Sequence, residues 1–303
     1  MKNALITGKN GFLGSILAKA LINGGVSVTG LGRSDVHLPV DISSPFSFPP
    51  GSQFDTIVHS AGKAHVVPRT HEEEREFYQV NLEGTKNLCA AIEQLPTKPE
   101  AFIFISTVAV YGKDSGERIH EDTPLQGSTP YAKSKILAEE WLQNWADKNN
   151  VTLSILRLPL VAGPQPPGNL GAMINGIKTG RYASIGMASS RKSIVWAEDI
   201  AGIVPQLAKV GGIYNLTDGY HPSFGELEQA IAGVLGKKPP FKVPMIVAKG
   251  LGLLGDMLGS RFPVNSDKIK KITSSLTFDD KRARKSLGWN PTEVLDKVGE
   301  MVG

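Results

Sequence analysis

Short apolar runs alternate with longer stretches of helical periodicity along the first half of the chain. The apolar runs occupy residues 2–6, 26–31, 56–60, 101–106 and 152–157. The helical patterns occupy residues 11–23, 71–95 and 130–148. Strands that alternate with helices predict an α/β fold with a doubly wound parallel sheet, covered by helices on both faces. Ligands of such sheets bind beyond the carboxyl ends of the strands.

The pattern changes after Pro159. A proline-rich loop and a helix to about Thr179 come first, followed by a strand at 193–196 and a helix from Asp199. We expect that strand and helix to return to the first domain. From about Thr217 the chain is typical of a smaller mixed α/β domain. The predicted division is residues 1–160 plus about 193–216, and residues 161–192 plus 217–303.

The apolar stretch 245–258 contains Lys249 and Asp256 and is shorter than a membrane span. It predicts a helix of the smaller domain, with an interfacial membrane contact as the alternative. We expect no transmembrane segment. Because Lys2 already begins a strand, we also expect no cleavable signal peptide and a cytoplasmic location.

Composition narrows the classes of function. The 303 residues carry a formal net charge of +4 with scattered basic residues, which favours a solvated surface over a nucleic-acid site. The single cysteine, Cys89, lies on an apolar helix face and cannot form an internal disulfide. The six histidines are scattered, so we expect no metal site.

A glycine-rich turn joins the first strand to the first helix. The turn reads Thr7-Gly8-Lys9-Asn10-Gly11-Phe12-Leu13-Gly14, with the spacing G-x-x-G-x-x-G. Glycines let the backbone approach a phosphate closely, and the helix N-terminus offers N–H groups and a favourable dipole. The turn therefore predicts a dinucleotide site. A strand–helix turn without a ligand is the alternative.

A second informative pair is Tyr131 and Lys135, which lie at i and i+4 on one helix face. An ammonium beside a phenol favours the phenolate and so lowers the phenol pKa. The segment Ile105–Gly112, an apolar run that includes the hydroxyls of Ser106 and Thr107, precedes the pair by about two dozen residues. This arrangement is chemically suited to the acid and base of a hydride-transfer site.

The ordered motifs resemble an extended short-chain dehydrogenase/reductase, in the branch of nucleotide-sugar epimerases, dehydratases and 4-ketoreductases. The matching segments are TGKNGFLG, Asp41-Ile42, HSAGKAHV (59–66), NLEGTKNL (81–88), STVAVYG (106–112), YAKSK (131–135), Arg157 to Pro164, RKSIVWAED (191–199) and KRARKSLGWNP (281–291). The resemblance implies a Rossmann-type sheet and a C-terminal domain that binds the nucleotide sugar. It also implies a homodimer built on helices 71–95 and 130–148. Phe77, Val80, Leu88 and Ile92 fit that helical face, but they would serve an internal core equally well.

The resemblance also implies roles for individual residues. Thr107 would bind the substrate C4 oxygen, Tyr131 would move its proton, and Lys135 would hold the cofactor ribose. Asp41 and Ile42 would contact adenine, and Ala61 and Gly62 would lie where the dinucleotide passes. The full set of expected cofactor contacts is Gly8, Asn10, Gly11, Phe12, Leu13, Gly14, Arg33, Asp41, Ile42, Ala61, Gly62, Lys135 and Pro159. The expected substrate contacts are Ser106, Thr107, Asn169 and Arg191.

The second strand indicates which cofactor is used. The position at which NAD enzymes of this fold carry an acid falls on Gly32, and Arg33 follows it. A glycine leaves room for a 2′-phosphate, and a guanidinium can bind it through two hydrogen bonds. We therefore predict NADP(H), with NAD(H) as the alternative if Arg33 points into solvent or Asp35 takes the acid's place.

Departures from the family pattern narrow the reaction. The 4,6-dehydratases carry Asp-Glu after the catalytic threonine, whereas this chain has Val108 and Ala109, which cannot transfer protons. Many 4-epimerases have Asn where this chain has Leu160. These residues favour NADPH-dependent reduction of a UDP- or dTDP-linked 4-keto sugar. A UDP-hexose 4-epimerase with tightly bound NAD is the first alternative, and a non-catalytic NADP-binding sensor is the second.

Overall fold

The computed structural model describes residues 1–64, 66–258 and 265–303; His65, which belongs to the 59–66 motif, and residues 259–264 lie outside the described residues. The strands are β1 Asn3–Thr7, β2 Ser27–Gly32, β3 Leu38–Pro39, β4 Thr56–His59, β5 Ala101–Thr107, β6 Gly116–Ile119, β7 Thr152–Leu158, β8 Leu160–Ala162, β9 Ala183–Ile185, β10 Ile194–Trp196, β11 Gly212–Asn215, β12 Phe241–Val243 and β13 Leu276–Phe278.

The α-helices flank these strands on both sides. They are α1 Phe12–Asn23, α2 His71–Tyr78, α3 Gly84–Glu93, α4 Pro130–Asn149, α5 Gly168–Lys178, α6 Ala197–Val210, α7 Phe224–Val234, α8 Met245–Leu258, α9 Ser266–Thr273, α10 Lys281–Leu287 and α11 Val298–Val302. The described residues also include short 3₁₀ turns at Val108–Tyr111 and Val294–Lys297.

A seven-stranded parallel sheet forms the centre of the molecule, in the order β11-β7-β5-β4-β1-β2-β3. The predicted doubly wound parallel sheet is confirmed, and its five predicted strands occupy β1, β2, β4, β5 and β7. The strand predicted at 193–196 is β10, which pairs with β8 in a separate two-stranded sheet, while Val195 and the following helix α6 pack into the core of the main sheet. One edge of the main sheet is formed by β11, which pairs with β7.

Side chains of the central strands alternate between two apolar layers, as a period of two requires. Ile6, Val58, Ile103 and Leu156 face a layer that includes α1 and α6. Leu5, Ile57, Phe102, Phe104 and Ile155 face a layer that includes α3 and α4. Both faces of the sheet are therefore buried, which explains why its strands read as continuous apolar runs.

The helix predicted over 71–95 is interrupted. A five-residue π-helical turn, Gln79–Glu83, separates α2 from α3 and carries the buried Asn81. Phe77, Leu88 and Ile92 are at most 1% exposed. These three positions therefore face the interior, whereas Val80 is half-buried.

The smaller part of the molecule is built on paired short strands. The pairs are β8 with β10, β9 with β12 and β6 with β13, all parallel. Its core includes Leu170, Met173, Trp196, Leu227 and Ile231. α7 begins at a capping box in which Ser223 and Glu226 satisfy each other's backbone N–H groups.

Candidate active site

The glycine turn is held by close backbone packing. Gly8 has φ +68°, and a Cβ placed there would lie 2.8 Å from the backbone of Ala61. The Gly11 N–H donates to the Gly8 carbonyl at 2.9 Å. A Cβ at Gly14 would lie 2.2 Å from the same carbonyl oxygen. α1 therefore begins directly against the turn, and its first turn carries no acidic residue that would repel an anion.

Replacing Gly14 by Ala is expected to push α1 away from the turn, because the new methyl group overlaps the Gly8 carbonyl oxygen. We expect a loss of about 1–3 kcal/mol in the free energy of unfolding, and weaker NADPH binding by about tenfold or more. Chemical denaturation and fluorescence titration measure the two effects. Gly202→Ala on α6 is the control, since its Cβ meets open space; equal effects of the two substitutions would contradict the packing argument.

A cleft of about 770 Å³ opens at the carboxyl ends of β1, β2 and β4. It brings together most of the residues expected to bind the cofactor: Gly8, Asn10, Gly11, Arg33, Asp41, Ile42, Ala61 and Gly62. The other expected contacts lie outside its lining. Gly14 packs on Gly8, Leu13 packs on the core, Phe12 lies against Gly163, and Pro159 is half-buried between β7 and β8.

Charged groups at the β2 end of the cleft influence one another. The Asp41 carboxylate accepts a hydrogen bond from the Ser43 N–H at 2.9 Å. This bond, with a smaller contribution from the nearby Arg33 guanidinium, lowers the pKa of Asp41. Asn10 donates to the Ser34 carbonyl at 2.8 Å and so ties the glycine turn to the end of β2. At its β2 end the cleft wall thus presents the Arg33 guanidinium and the Asp41 carboxylate near each other.

Thr107 and Tyr131 meet at the end of β5. Thr129 caps α4 by accepting the Ala132 N–H at 3.1 Å, with Pro130 in the first turn, so Tyr131 opens the helix. The Thr107 hydroxyl oxygen accepts the Ala109 N–H at 3.2 Å, which leaves its proton for another acceptor. Burial raises the pKa of Tyr131, and a hydrogen bond with Thr107 opposes that shift.

Lys135 lies behind this pair and is only 5% exposed. Its ammonium donates to the Ile105 carbonyl at 2.8 Å and lies 4.3 Å from the centre of the Phe104 ring. Burial lowers the pKa of Lys135 to about 8, against the attraction of Glu139. The expected lowering of the phenol pKa by Lys135 is not seen here, because the ammonium is directed to the Ile105 carbonyl, and burial raises the pKa of Tyr131.

Gly62 adjoins Lys135 and completes the fit for a dinucleotide. A Cβ at Gly62 would lie 3.1 Å from the Asn81 side-chain oxygen and 3.4 Å from the Lys135 ammonium. The space that a side chain would fill therefore lies between the cleft and the lysine. This arrangement suits a dinucleotide. It combines the glycine turn, the N-terminus of α1 and the Lys135 ammonium, which is accessible from the cleft because Gly62 has no side chain.

Asn81 joins two walls of the site. Its amide oxygen accepts the Lys63 N–H at 2.7 Å, and its amide nitrogen donates to the Lys63 carbonyl at 3.1 Å and to the Ser134 hydroxyl at 2.9 Å. The loop after β4 is thereby fixed to α4. Asn81 lies within the π-helical turn and is 1% exposed.

A buried ion pair, which sequence reasoning missed, lies beneath the site. Arg157 on β7 contacts Glu139 on α4 at 2.7 Å, and Glu139 is 0% exposed. Arg157 also donates to the Glu121 carbonyl at 2.9 Å. Ser106, expected to contact substrate, instead donates its hydroxyl proton to Glu139. No local signal distinguishes Glu139 from an ordinary solvated helix residue.

The two remaining expected substrate contacts lie in the smaller part of the molecule. The Arg191 guanidinium donates to the His221 carbonyl at 2.9 Å and lies 5.4 Å from the centre of the Tyr220 ring. Its neighbour Ser190 lines a second cavity of about 550 Å³ between β9, β12 and the start of α8. Asn169 is exposed on the first turn of α5. The structure does not bring these two side chains into the cofactor cleft.

Among the described residues, no helix is long and apolar enough to cross a membrane. In the same ranges, no group of three or more histidine, cysteine, aspartate and glutamate side chains could hold a metal ion.

Known proteins resemble this chain over nearly its whole length. The family model "NAD dependent epimerase/dehydratase family" matches residues 4–216. One relative, the N-acetyl-alpha-D-glucosaminyl-diphospho-ditrans,octacis-undecaprenol 4-epimerase of Escherichia coli O157:H7, is 25% identical over 94% of this chain and 89% of its own length. The UDP-glucose 4-epimerase of Vibrio cholerae is 25% identical over 98% of this chain and 93% of its own length.

Solved structures share the fold. UDP-glucose 4-epimerase from Thermotoga maritima with UDP-glucose superposes with a TM-score of 0.77 at 19% identity, covering 99% of this chain and 97% of that one. RMD from Pseudomonas aeruginosa complexed with NADPH superposes with a TM-score of 0.76 at 20% identity, covering 100% and 98%.

Proposed function

Because the chain belongs to the NAD-dependent epimerase/dehydratase family, we propose that it transfers hydride at C4 of a sugar carried on a nucleoside diphosphate. The favoured reaction is NADPH-dependent reduction of a UDP- or dTDP-linked 4-keto sugar of the deoxy or amino type. The observation that carries the proposal is the placement of Thr107 near Tyr131, with the buried Lys135 one helical turn further along α4 and a glycine-lined cleft close by.

Each side chain of this site has a separate role in the proposed reaction. A bound nicotinamide supplies the hydride. Thr107 binds the C4 oxygen, and Tyr131 donates its proton to that oxygen as hydride reaches C4. The charge left on the phenolate is stabilised by Lys135, once its ammonium turns from the Ile105 carbonyl toward the cleft. Proton transfer of this kind contributes about 10²- to 10⁴-fold to a rate.

The 4-epimerase reaction is the second candidate. Leu160 and the Gly32–Arg33 pair favour a reductase, whereas two relatives that align with 94–98% of the chain are 4-epimerases by name. The substrates in those two names share a sugar joined to a diphosphate. We propose Arg191 as the diphosphate contact, which requires that its guanidinium exchange the His221 carbonyl for phosphate oxygens.

Cofactor stoichiometry separates the candidates. A reductase oxidises one mole of NADPH for each mole of a UDP- or dTDP-4-keto sugar consumed, measured by absorbance and by NMR of the product. An epimerase converts a UDP-hexose without net NADPH consumption and retains NAD through purification. Cofactor binding without turnover of either substrate class would contradict both and favour a sensor.

Replacing Arg33 by Ala is expected to weaken NADPH binding by about 10- to 100-fold, because a charge-assisted hydrogen bond contributes about 1.5–3 kcal/mol. NADH binding should change little, since NADH lacks the 2′-phosphate. Calorimetric titration of the purified protein with each cofactor measures both affinities. Arg181→Ala, an exposed arginine of the smaller domain, is the control. Equal or tighter NAD binding by the unchanged protein, unaffected at Arg33, would reject the NADP(H) preference.

A homodimer through α4 is also part of the proposal. The helix exposes 41% of Leu137 on the side away from the sheet, where a second copy would pack. Light scattering after gel filtration measures the mass. We expect a dimer for the unchanged protein and a monomer for Leu137→Glu; a monomer in both cases would contradict the assembly.

A further inference from the structure

Helix α8 has its amphipathic pattern reversed relative to an ordinary surface helix. Its buried positions are Ala248, Gly252 and Gly255, all of them small residues. A Cβ at Gly252 would lie 2.8 Å from the Ile269 side chain and 3.2 Å from the Ser266 backbone. α8 therefore packs closely on α9 through its small residues, and its large apolar side chains turn outward.

The exposed fractions define an apolar surface, which we call the α8 face. Its members are Ile246 (85%), Val247 (51%), Leu253 (63%), Leu254 (52%) and Met257 (84%). At about 100° per residue these side chains fill one arc of roughly 120° on the helix. Lys249 and Asp256 lie along one border of that arc. An ordinary surface helix directs such an arc into the core, and exposed apolar patches of this kind mark interaction sites.

Two other exposed apolar side chains come from elements beside the start of α8. Phe241 on β12 is 75% exposed, and Met187 is 81% exposed and lines the 550 Å³ cavity. Met245, the first residue of α8, lines the same cavity. The apolar surface therefore extends to the mouth of this cavity.

The surroundings of the α8 face are basic. Segments 237–258 and 265–273 contain seven lysines and two aspartates. Asp256 accepts the Ser266 N–H at 3.1 Å, and Asp267 pairs with Lys271 at 3.0 Å. Lys237, Lys238, Lys242 and Lys249 are exposed. Apolar residues bordered by lysines complement an anionic lipid surface, where acyl chains receive the apolar arc and headgroups receive the ammonium groups.

We propose that the α8 face docks this protein on anionic lipid bilayers, with α8 lying in the plane of the interface. The helix has 14 residues, so it is about 21 Å long, shorter than the roughly 30 Å hydrocarbon core. It lies on the membrane and does not span it. The cavity mouth beside Met187 and Met245 then faces the bilayer.

Vesicle flotation tests the proposal without substrate or cofactor, so its outcome is independent of the proposed reaction. The full chain is mixed with vesicles of phosphatidylcholine alone or with about 30% phosphatidylglycerol. We expect binding to the anionic vesicles that weakens in 0.5 M NaCl, as screening of lysine–headgroup attraction requires. Ile246→Gln/Leu253→Gln should reduce the partition coefficient by about tenfold or more, and Lys242→Glu/Lys249→Glu should abolish the preference for anionic lipid.

The control variant is Val210→Gln/Val234→Gln. It changes two exposed valines outside the α8 face, 50% and 51% exposed, at the ends of α6 and α7. Its partition coefficient on anionic vesicles should equal that of the unchanged chain. Thermal unfolding of every variant verifies that the fold is kept. Absence of vesicle binding by the unchanged chain would overturn the proposal. So would a lipid-independent dimer that Ile246→Gln/Leu253→Gln dissociates, because a second copy would then be the occupant of the α8 face.

Discussion

Replacing Tyr131 by Phe is expected to reduce kcat by about 10²- to 10⁴-fold, with NADPH affinity changed by less than about threefold. The phenol is the group that we propose to give its proton to the C4 oxygen, and a loss of this size is typical when a general acid is removed. The ring itself is retained, so its contact with Phe77, with ring centres 6.1 Å apart, persists. The cofactor cleft should therefore keep its shape.

Single-turnover kinetics with NADPH and calorimetric cofactor titration measure the two quantities separately. Tyr78→Phe on α2 is the matched control, because it removes the phenol of another half-buried tyrosine. It should retain activity within about twofold. Near-normal turnover by Tyr131→Phe would show that another group delivers the proton. Lost NADPH binding would show instead that the tyrosine has a structural role.

Replacing Arg157 by Leu is expected to lower the free energy of unfolding by about 3–5 kcal/mol. The substitution leaves the Glu139 carboxylate without its guanidinium at a position that is 0% exposed. A buried unpaired carboxylate must either remain charged in an apolar environment or take up a proton, and both carry a free-energy cost. For a chain of this size the expected fall in Tm is about 5–8 °C.

Thermal and denaturant unfolding measure the loss. Lys297→Ala breaks the surface pair with Glu300 and should change the stability little, because exposed ion pairs are screened by solvent. The double variant Arg157→Leu/Glu139→Leu should regain part of the stability, because no unpaired charge remains. A double variant less stable than Arg157→Leu alone would show that the Ser106–Glu139 hydrogen bond, not the ion pair, holds this region.

The main sheet could be predicted because its evidence is local. Each central strand is buried on both faces, so it appears in the sequence as an apolar run between helical patterns. The short edge strand β11 escaped prediction, since it begins at Gly212 and contains only four residues. The strand at 193–196 could be predicted but its pairing with β8 could not, because the sequence does not state which partner a three-residue strand will pair with.

The candidate site divides in the same way. Glycines at a strand–helix turn reveal a close approach of the backbone, so the turn of the cleft was predictable residue by residue. The partner of a long side chain was not predictable. Nothing local to Lys135 indicates that its ammonium reaches the Ile105 carbonyl, or that Ser106 donates to a carboxylate 33 positions later. The π-helical turn around Asn81 likewise has no compositional signature within an amphipathic stretch.

Helix α4 is attached along its length to several separate parts of the molecule. Its first residues reach the end of β5, Ser134 reaches the loop after β4 through Asn81, and Glu139 reaches β7 through Arg157. A helix fastened at such different heights cannot slide or rotate without breaking bonds in the interior. Any closure around a sugar must then come from the other side of the cleft. We expect the elements around α5, α8 and α9 to move toward α4 while α4 stays fixed. The reacting hydroxyls would then keep their positions during closure.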